Sequence, residues 1–287
     1  MAVYELTSSL SKPFINFVKI FEYKSISFIS RIYKNGQLVI PSSTIGKIFC
    51  EVSDTNFEII KNVIMITSGG IVMPIFSDKA PSSEILKIMI KNILKYKKNI
   101  YCILGITEDT ELIKKELVYS ACSTINYSLL IDNTHKQFTS KIRSLTVKKA
   151  KKRDAASLFP LEKSYLLEEV LVENTSINTH AALLNLRKTC TNQSVFYAIV
   201  DKQIVAKVNT NGKGFGYNQI GGVYTKPEYR NQGISTYLME YLLNEIHLSK
   251  KNAVLYVKKE NDPALSLYKK LGFKIIDNYS AHYISNH

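Results

Sequence analysis

The sequence predicts a mixed α/β protein in two segments, and three observations carry that expectation. Runs with apolar residues at helical spacing alternate with short apolar, β-branched runs along all 287 residues. A polar stretch, Asp132–Lys141, divides the alternation into two series. In the second series a strand-like run, Phe215–Tyr224, leads through a short turn into a helix-like run, Thr236–Leu248. The expected division is 1–138 and 139–287, two segments of ordinary domain size.

In the first segment, residues 11–34 read as one amphipathic helix. Ser11 is its expected cap, Pro13 lies in its first turn, and Asn35-Gly36 ends it. Ile45–Val52 reads as a strand. Val63–Thr67 and Ile71–Phe76 form a hairpin about Ser68-Gly69-Gly70. A helix over Ser83–Lys95, a strand over Ile100–Ile106, a helix over Glu108–Val118 and a strand over Ser123–Ile131 complete the series. This segment has no glycine-rich phosphate loop and no cluster of titratable residues. Dimerisation, shaping of a substrate site and structural support are the roles open to it.

The second segment opens with a strand, Ser144–Lys148. A helical region follows at Arg153–Val172, broken or restarted at Pro160, and then a helix at Thr179–Thr191. Three strands come next, Ser194–Val200, Ile204–Asn209 and Phe215–Tyr224, with turns at Asp201-Lys202 and Asn211-Gly212. After the helix beyond Ser235 come a strand at Ala253–Lys258 and a helix started by Asn261-Asp262-Pro263 and stopped at Gly272. Phe273–Ile276 and Ala281–Ile284 read as the last strands.

Arg230-x-x-Gly233-x-Ser235 stands where the third of those strands gives way to its helix. A helix start offers unpaired N–H groups and the positive end of a dipole, which together suit an anion such as a pyrophosphate. Gly233 lets a ligand approach the backbone, and Arg230 adds a cation with paired donors. Read alone, the stretch is equally an ordinary strand–loop–helix connection.

The net charge is +14, and it is uneven. Residues 1–140 hold 16 basic and 12 acidic side chains, against 22 and 12 in residues 141–287, or +4 and +10. An anionic partner in the second segment is one reading, and a lysine-rich solvated surface is the other. Lys148-Lys149-Ala150-Lys151-Lys152-Arg153 is open to readings as a linker, a helix flank or a phosphate-facing patch. The four cysteines show no CxxC pair and no histidine at ligand spacing, so no metal site is expected. Three of them, Cys50, Cys102 and Cys122, sit in or beside apolar runs, which suits a reducing, cytoplasmic setting. The longest apolar stretch, Val63–Phe76, is broken by glycine and too short for a bilayer, and no secretory leader pattern opens the chain; no membrane association is expected.

A second motif makes the first specific. Asn261-Asp262-Pro263-Ala264-Leu265-Ser266-Leu267-Tyr268-Lys269-Lys270-Leu271-Gly272-Phe273 is similar to the Asn-x-x-Ala-x-x-x-Tyr-x-x-x-Gly-Phe signature of the GNAT N-acetyltransferase superfamily. With the Arg-x-x-Gly-x-Ser turn and the order β-α-α-β-β-β-α-β-α-β-β, residues 141–287 resemble that family, whose fold is a mixed central sheet flanked by helices. The first segment has the flavour of a degenerate copy, which implies a tandem arrangement with one working domain.

The resemblance implies acetyl-CoA as co-substrate, bound where the fourth and fifth strands splay apart. Val223, Tyr224 and Thr225 would supply the edge that pairs with pantetheine, Val223 and Thr225 through backbone groups. The N–H groups of Asn231, Gln232, Gly233, Ile234, Ser235 and Thr236 would hold the pyrophosphate, with Arg230 beside it. Asn261 would bond the pantetheine arm, with Ala264 in the same motif. Ser235 departs from the family's Gly or Ala, but it is small. Tyr268 would face the sulfur as general acid; its bland reading is packing against Phe273.

The base is not evident, because Phe215–Tyr224 contains no acid where many relatives carry Glu. Glu168, Glu169, Tyr224 or a held water are the candidates. Adjacent acids on a helix point about 100° apart, so at most one of Glu168 and Glu169 is expected to face a cleft. The implied activity is transfer of an acetyl or other acyl group to a primary amine of a small molecule or protein. The alternative is an acyl-CoA-binding module without catalysis. A nucleic-acid partner is not favoured, since no aromatic-interleaved basic motif appears.

Overall fold

The computed structural model describes residues 2–34, 37–39, 45–53, 58–117, 121–139, 145–170 and 176–284. The Asn35-Gly36 helix stop lies outside them, as do Ser144, Val118 and Val172 at the ends of expected elements.

In the first half the strands are β1 (Ala2–Glu5), β2 (Tyr33–Lys34), β3 (Gln37–Leu38), β4 (Gly46–Val52), β5 (Ile60–Thr67), β6 (Ile71–Phe76), β7 (Cys102–Ile106) and β8 (Ala121–Asp132). Its helices are α1 (Ser11–Ile20), α2 (Glu22–Ile32), α3 (Ser83–Tyr96) and α4 (Thr107–Leu117). The second half contributes β9 (Thr146–Lys149), β10 (Val195–Val200), β11 (Gln203–Lys213), β12 (Tyr217–Thr225), β13 (Asn252–Lys258) and β14 (Lys274–Ile284). Its helices are α5 (Ala155–Tyr165), α6 (Thr179–Asn192), α7 (Ile234–Leu248) and α8 (Asp262–Lys270).

The mixed α/β expectation holds, and one 12-stranded sheet runs through both halves in the order β1-β4-β5-β6-β7-β14-β8-β13-β12-β11-β10-β9. The middle of that order is an exchange. β8, the last strand of the first half, pairs with β13; β14, the last strand of the second half, pairs with β7; and β8 and β14 pair with each other. Each half thus lends its final strand to the other's edge, so the central sheet is continuous across Asp132–Lys141.

Two faces of this sheet are covered differently in the second half. Leu130, Ile220, Leu255 and Val257 pack with Leu238, Leu242, Tyr268 and Phe273 from α7, α8 and the chain just after. On the other face Leu129, Val254 and Tyr279 meet Ile26 from α2, so a helix of the first half roofs strands of the second. The tie is polar as well: Glu22 of α2 accepts from the backbone N–H groups of Gly216 (2.8 Å) and Tyr217 (3.4 Å).

Several elements differ from expectation for local reasons. The 11–34 helix is two, with Phe21 between them and a non-helical Ser25 (φ −132°) in the second. Ser11 does not cap; its hydroxyl donates back to the carbonyl of Ser8. Pro160 does not break α5, which absorbs one missing backbone donor and instead widens to a π-turn over Leu166–Val170. Asn211-Gly212 is not the hairpin turn. β11 runs on to Lys213 through a register shift, and the turn falls where Glu22 holds Gly216. The two expected final strands are one, β14, kinked by a bulge between Ile275 and Asp277.

Candidate active site

β12 and β13 run parallel and pair only from Tyr217–Ile220 against Asn252–Leu255. Beyond Ile220, β12 stays with β11 and β13 stays with β8, so Gly221–Thr225 and Tyr256–Lys258 face one another unpaired. A cavity of about 940 Å³ occupies the gap. Gly222 sets the divergence with φ +57°, and a Cβ there would collide with the side chains of Asn209 and Lys207.

At the mouth of the gap, α7 begins at Gly233, which has φ +75° and caps the helix with no side-chain acceptor. The helical ladder starts with Tyr237 N–H to Gly233 O at 3.0 Å. Among the described residues the N–H groups of Ile234, Ser235 and Thr236 therefore have no acceptor, and they open into the cavity wall. A Cβ on Gly233 would meet nothing within 4 Å. The left-handed backbone and the open space together leave these donors accessible from the cavity, an arrangement that suits an anion. Arg230 stands at its edge, its Nε donating to Thr225 O at 3.0 Å and its guanidinium lying 5.5 Å from the Tyr224 ring centroid. The hydroxyl of Ser235 pairs with that of Thr225 at 2.7 Å, and both residues line the cavity.

The motif on α8 forms a second wall. Asn261 accepts from Ala264 N–H at 3.1 Å, capping α8, and its amide donates to Glu169 at 3.5 Å. The Tyr268 ring packs edge-on against Phe273 at 5.9 Å and also lines the cavity, so packing and exposure to the gap coexist. Its hydroxyl makes no hydrogen bond to a described residue. Burial, then the neighbouring Tyr165 and Glu169, push its pKa far above the ordinary phenol range, which keeps the proton in place.

The π-turn sends Glu168 and Glu169 apart. Glu168 is exposed, bound to Arg230 at 2.6 Å and to the Tyr224 hydroxyl. Burial alone would raise its pKa, but hydrogen bonds from Tyr224 and Arg230 more than offset that and hold it below the usual carboxylate value. Tyr224 is likewise committed, with its pKa raised by burial and by Glu168. Glu169 faces the cavity. β12 carries no acid, as its sequence indicates.

Sequence reading passed over a buried group behind Gly222, where the β11–β12 register shifts between Lys207 and Asn209 and forms a bulge. Lys207 on β11 is 1% exposed, with Nζ at 2.8 Å from Glu162, 3.0 Å from Gly222 O, 3.1 Å from Asn209 Oδ1 and 4.6 Å from the Tyr165 ring centroid. Burial lowers its pKa while Glu162 opposes the shift. By fixing the Gly222 carbonyl, Lys207 holds the bulge that opens the gap. The available signal was a lone charge inside Ile204-Val205-Ala206-Lys207-Val208, a run otherwise apolar. Leu104 and Tyr127 of the first half also line the cavity, and no sequence motif marks them.

Residues 191–275 match the family model described as "Acetyltransferase (GNAT) domain". No curated protein matches the sequence. The chain is similar in fold to a solved Drosophila protein, with a TM-score of 0.68 at 11% identity, over 99% of this chain and 98% of that one. It is similar to a "Tandem GNAT protein from the clavulanic acid biosynthesis pathway" with a TM-score of 0.59 at 8% identity, over 100% of both chains. A GCN5-related N-acetyltransferase from Kribbella flavida aligns with a TM-score of 0.57 at 12% identity, over 79% of this chain and 87% of that one. At these identities the structures speak to fold, and they do so along the whole chain. Residues 191–275 thus match the GNAT acetyltransferase domain model, and the whole chain is similar in fold to a tandem GNAT protein.

Proposed function

We propose that the protein is an N-acyltransferase that moves an acetyl group from acetyl-CoA to a primary amine by direct attack. The observation that carries this reading is the open start of α7 beside an unpaired strand edge. A CoA pyrophosphate suits the free N–H groups of Ile234–Thr236 with Arg230 beside them, and a pantetheine arm suits the edge at Val223–Thr225. The fit is selective for a group with both an anion and an amide-bearing arm, because the gap offers both kinds of partner in sequence. Bound there, acetyl-CoA supplies an acyl carbon already activated as a thioester.

The chain's own residues supply the rest. Glu169 takes a proton from the acceptor ammonium, directly or through water, freeing the nitrogen lone pair. The C–N bond forms as the C–S bond breaks, and a backbone N–H near Val223–Thr225 steadies the negative charge gathering on oxygen. Tyr268 gives its proton to the departing sulfur and regains one from the nitrogen. The balance is ammonium plus acetyl-CoA to amide, free CoA thiol and one proton. Glu168 is assigned to holding Arg230 rather than to proton transfer.

The absence of an acid on β12 favours a second reading, an acyl-CoA-binding module without turnover. Thiol release from acetyl-CoA across a panel of amines separates the two: amine-dependent release supports the enzyme, and binding without release supports the module. Cys50, Cys102 and Cys190 are free and buried, which fits a reducing cytoplasm, where we place the activity. Among the described residues no helix is long and apolar enough to cross a membrane.

A further inference from the structure

We propose that the acceptor is a monoamine with a flat, aromatic body, seated in a tyrosine-lined chamber built jointly by both halves. The inference rests on the acyl-transfer reading and goes beyond it to the substrate class.

Past Tyr268 and Gln219 the cavity continues over the face of the exchanged strands. Tyr127 on β8 stands opposite Tyr279 on β14 and opposite Lys258 on β13, and Ala281 stands opposite Leu104 on β7. Cross-strand partners, and every second residue along a strand, share a face. Register therefore puts Tyr127, Tyr256, Tyr279 and Tyr283 on one floor, with Tyr165 and Glu169 above. Two of the floor rings already stack closely, Tyr256 and Tyr279, at 4.2 Å between centroids. The floor exists only because the final strands change places.

Such walls match a flat apolar body, and ring faces also attract a cation. The charge around the cavity sets the number of cations. Glu169 is its one carboxylate among the described residues, whereas Arg230, Lys258 and Lys270 all line it. A single ammonium finds a partner there. A polyamine or a lysine-rich peptide brings further positive charges to a wall where Arg230 is already paired with Glu168, and where Lys258 and Lys270 form no ion pair with a described residue.

The test measures acetyl-CoA-dependent thiol release with phenethylamine, n-propylamine, spermidine and a lysine-rich peptide, alongside calorimetry with acetyl-CoA alone. Phenethylamine is expected to exceed each of the others in kcat/KM by about tenfold or more, the ratio set by roughly one good aromatic contact. Tyr127→Leu, which keeps apolar bulk and removes the flat ring, should raise the KM for phenethylamine about tenfold and leave acetyl-CoA affinity unchanged. Tyr283→Leu provides the same comparison if the first variant misfolds. A higher kcat/KM for spermidine or the peptide overturns the proposal, as does an unchanged phenethylamine KM in the folded variant. Failure of acetyl-CoA to bind the native chain overturns the acyl-transfer reading itself. Acetyl-CoA binding with no turnover of any amine overturns the acceptor assignment and leaves the binding module.

Discussion

In the first half, β6 and β7 pair in parallel at Ile71–Cys102 and Val72–Ile103 and then part, as β12 and β13 part after Ile220. Past the point of parting, the two halves differ. Asp109 reaches back from α4 and accepts from Phe76 N–H at 3.2 Å, and Pro74 in the same strand has no N–H to offer. A Cβ on Gly105 would already lie 3.3 Å from Pro74 Cδ and 3.2 Å from Thr110 Cγ2, so the strands' neighbours fill that space. α3 is capped by its own Ser82, which accepts from Ile85 N–H. In the second half the matching strand edge has no strand partner beyond Ile220, with Thr225 O taken by Arg230 and Gly222 O by Lys207, and the matching helix starts at a glycine with no side-chain cap. Both halves splay a parallel strand pair, and the half we propose to bind acetyl-CoA is the one that leaves backbone donors unsatisfied at its helix start. Satisfying them internally makes a sound fold and removes the site.

The largest effect should come from closing the open half. Gly233→Trp, which forces a bulky side chain into a left-handed position at the anion mouth, should weaken acetyl-CoA binding by about a thousandfold or more, roughly 4 kcal/mol, in calorimetry. Next is the pair that holds the bulge. Lys207→Met leaves the partly buried Glu162 and the Gly222 carbonyl without their shared partner and should destabilise the protein by about 2 kcal/mol in urea unfolding. Adding Glu162→Leu should recover most of that, and no recovery would mean that the pair is not what holds β11 and α5 together.

Tyr268→Phe should lower kcat about a hundredfold while acetyl-CoA affinity stays within about twofold. Unchanged kcat would remove Tyr268 from proton transfer. The smallest effects belong to the closed half. Ser82→Ala should cost about 1 kcal/mol of stability through the lost cap, a few degrees in Tm, and leave acetyl-CoA affinity alone.

Asp109 offers a pH test of the same contrast. Burial, eased by the Phe76 hydrogen bond, raises its pKa from 3.8 to about 6. A carboxyl whose folded pKa is raised contributes stability when protonated, and that contribution fades as pH rises from about 4 to about 6. Asp109→Asn should therefore flatten the fall in unfolding free energy across that window.

The parts legible in the sequence are those whose chemistry is local. The turn at Arg230–Ser235 and the cap at Asn261 depend on residues within a few positions, and the backbone adopts the geometry those residues favour. Tyr268 and Glu169 could be named but not placed, because the π-turn that parts Glu169 from Glu168 depends on Arg230 and Tyr224 more than 50 residues away. The exchange of β8 and β14 left no trace in either strand, since an apolar strand pairs equally well with its own half or the other. Lys207 was visible as a charge out of place, yet Glu162, its reason for being buried, lies on another element.

The most direct measurement is the stoichiometry of acetyl-CoA binding to the intact chain by calorimetry, with and without Gly233→Trp. One site per native chain and none in the variant is the expected result. Two sites per chain, or a site that survives Gly233→Trp, would contradict the claim that, of the two helix starts compared among the described residues, the one in the second half keeps its donors open.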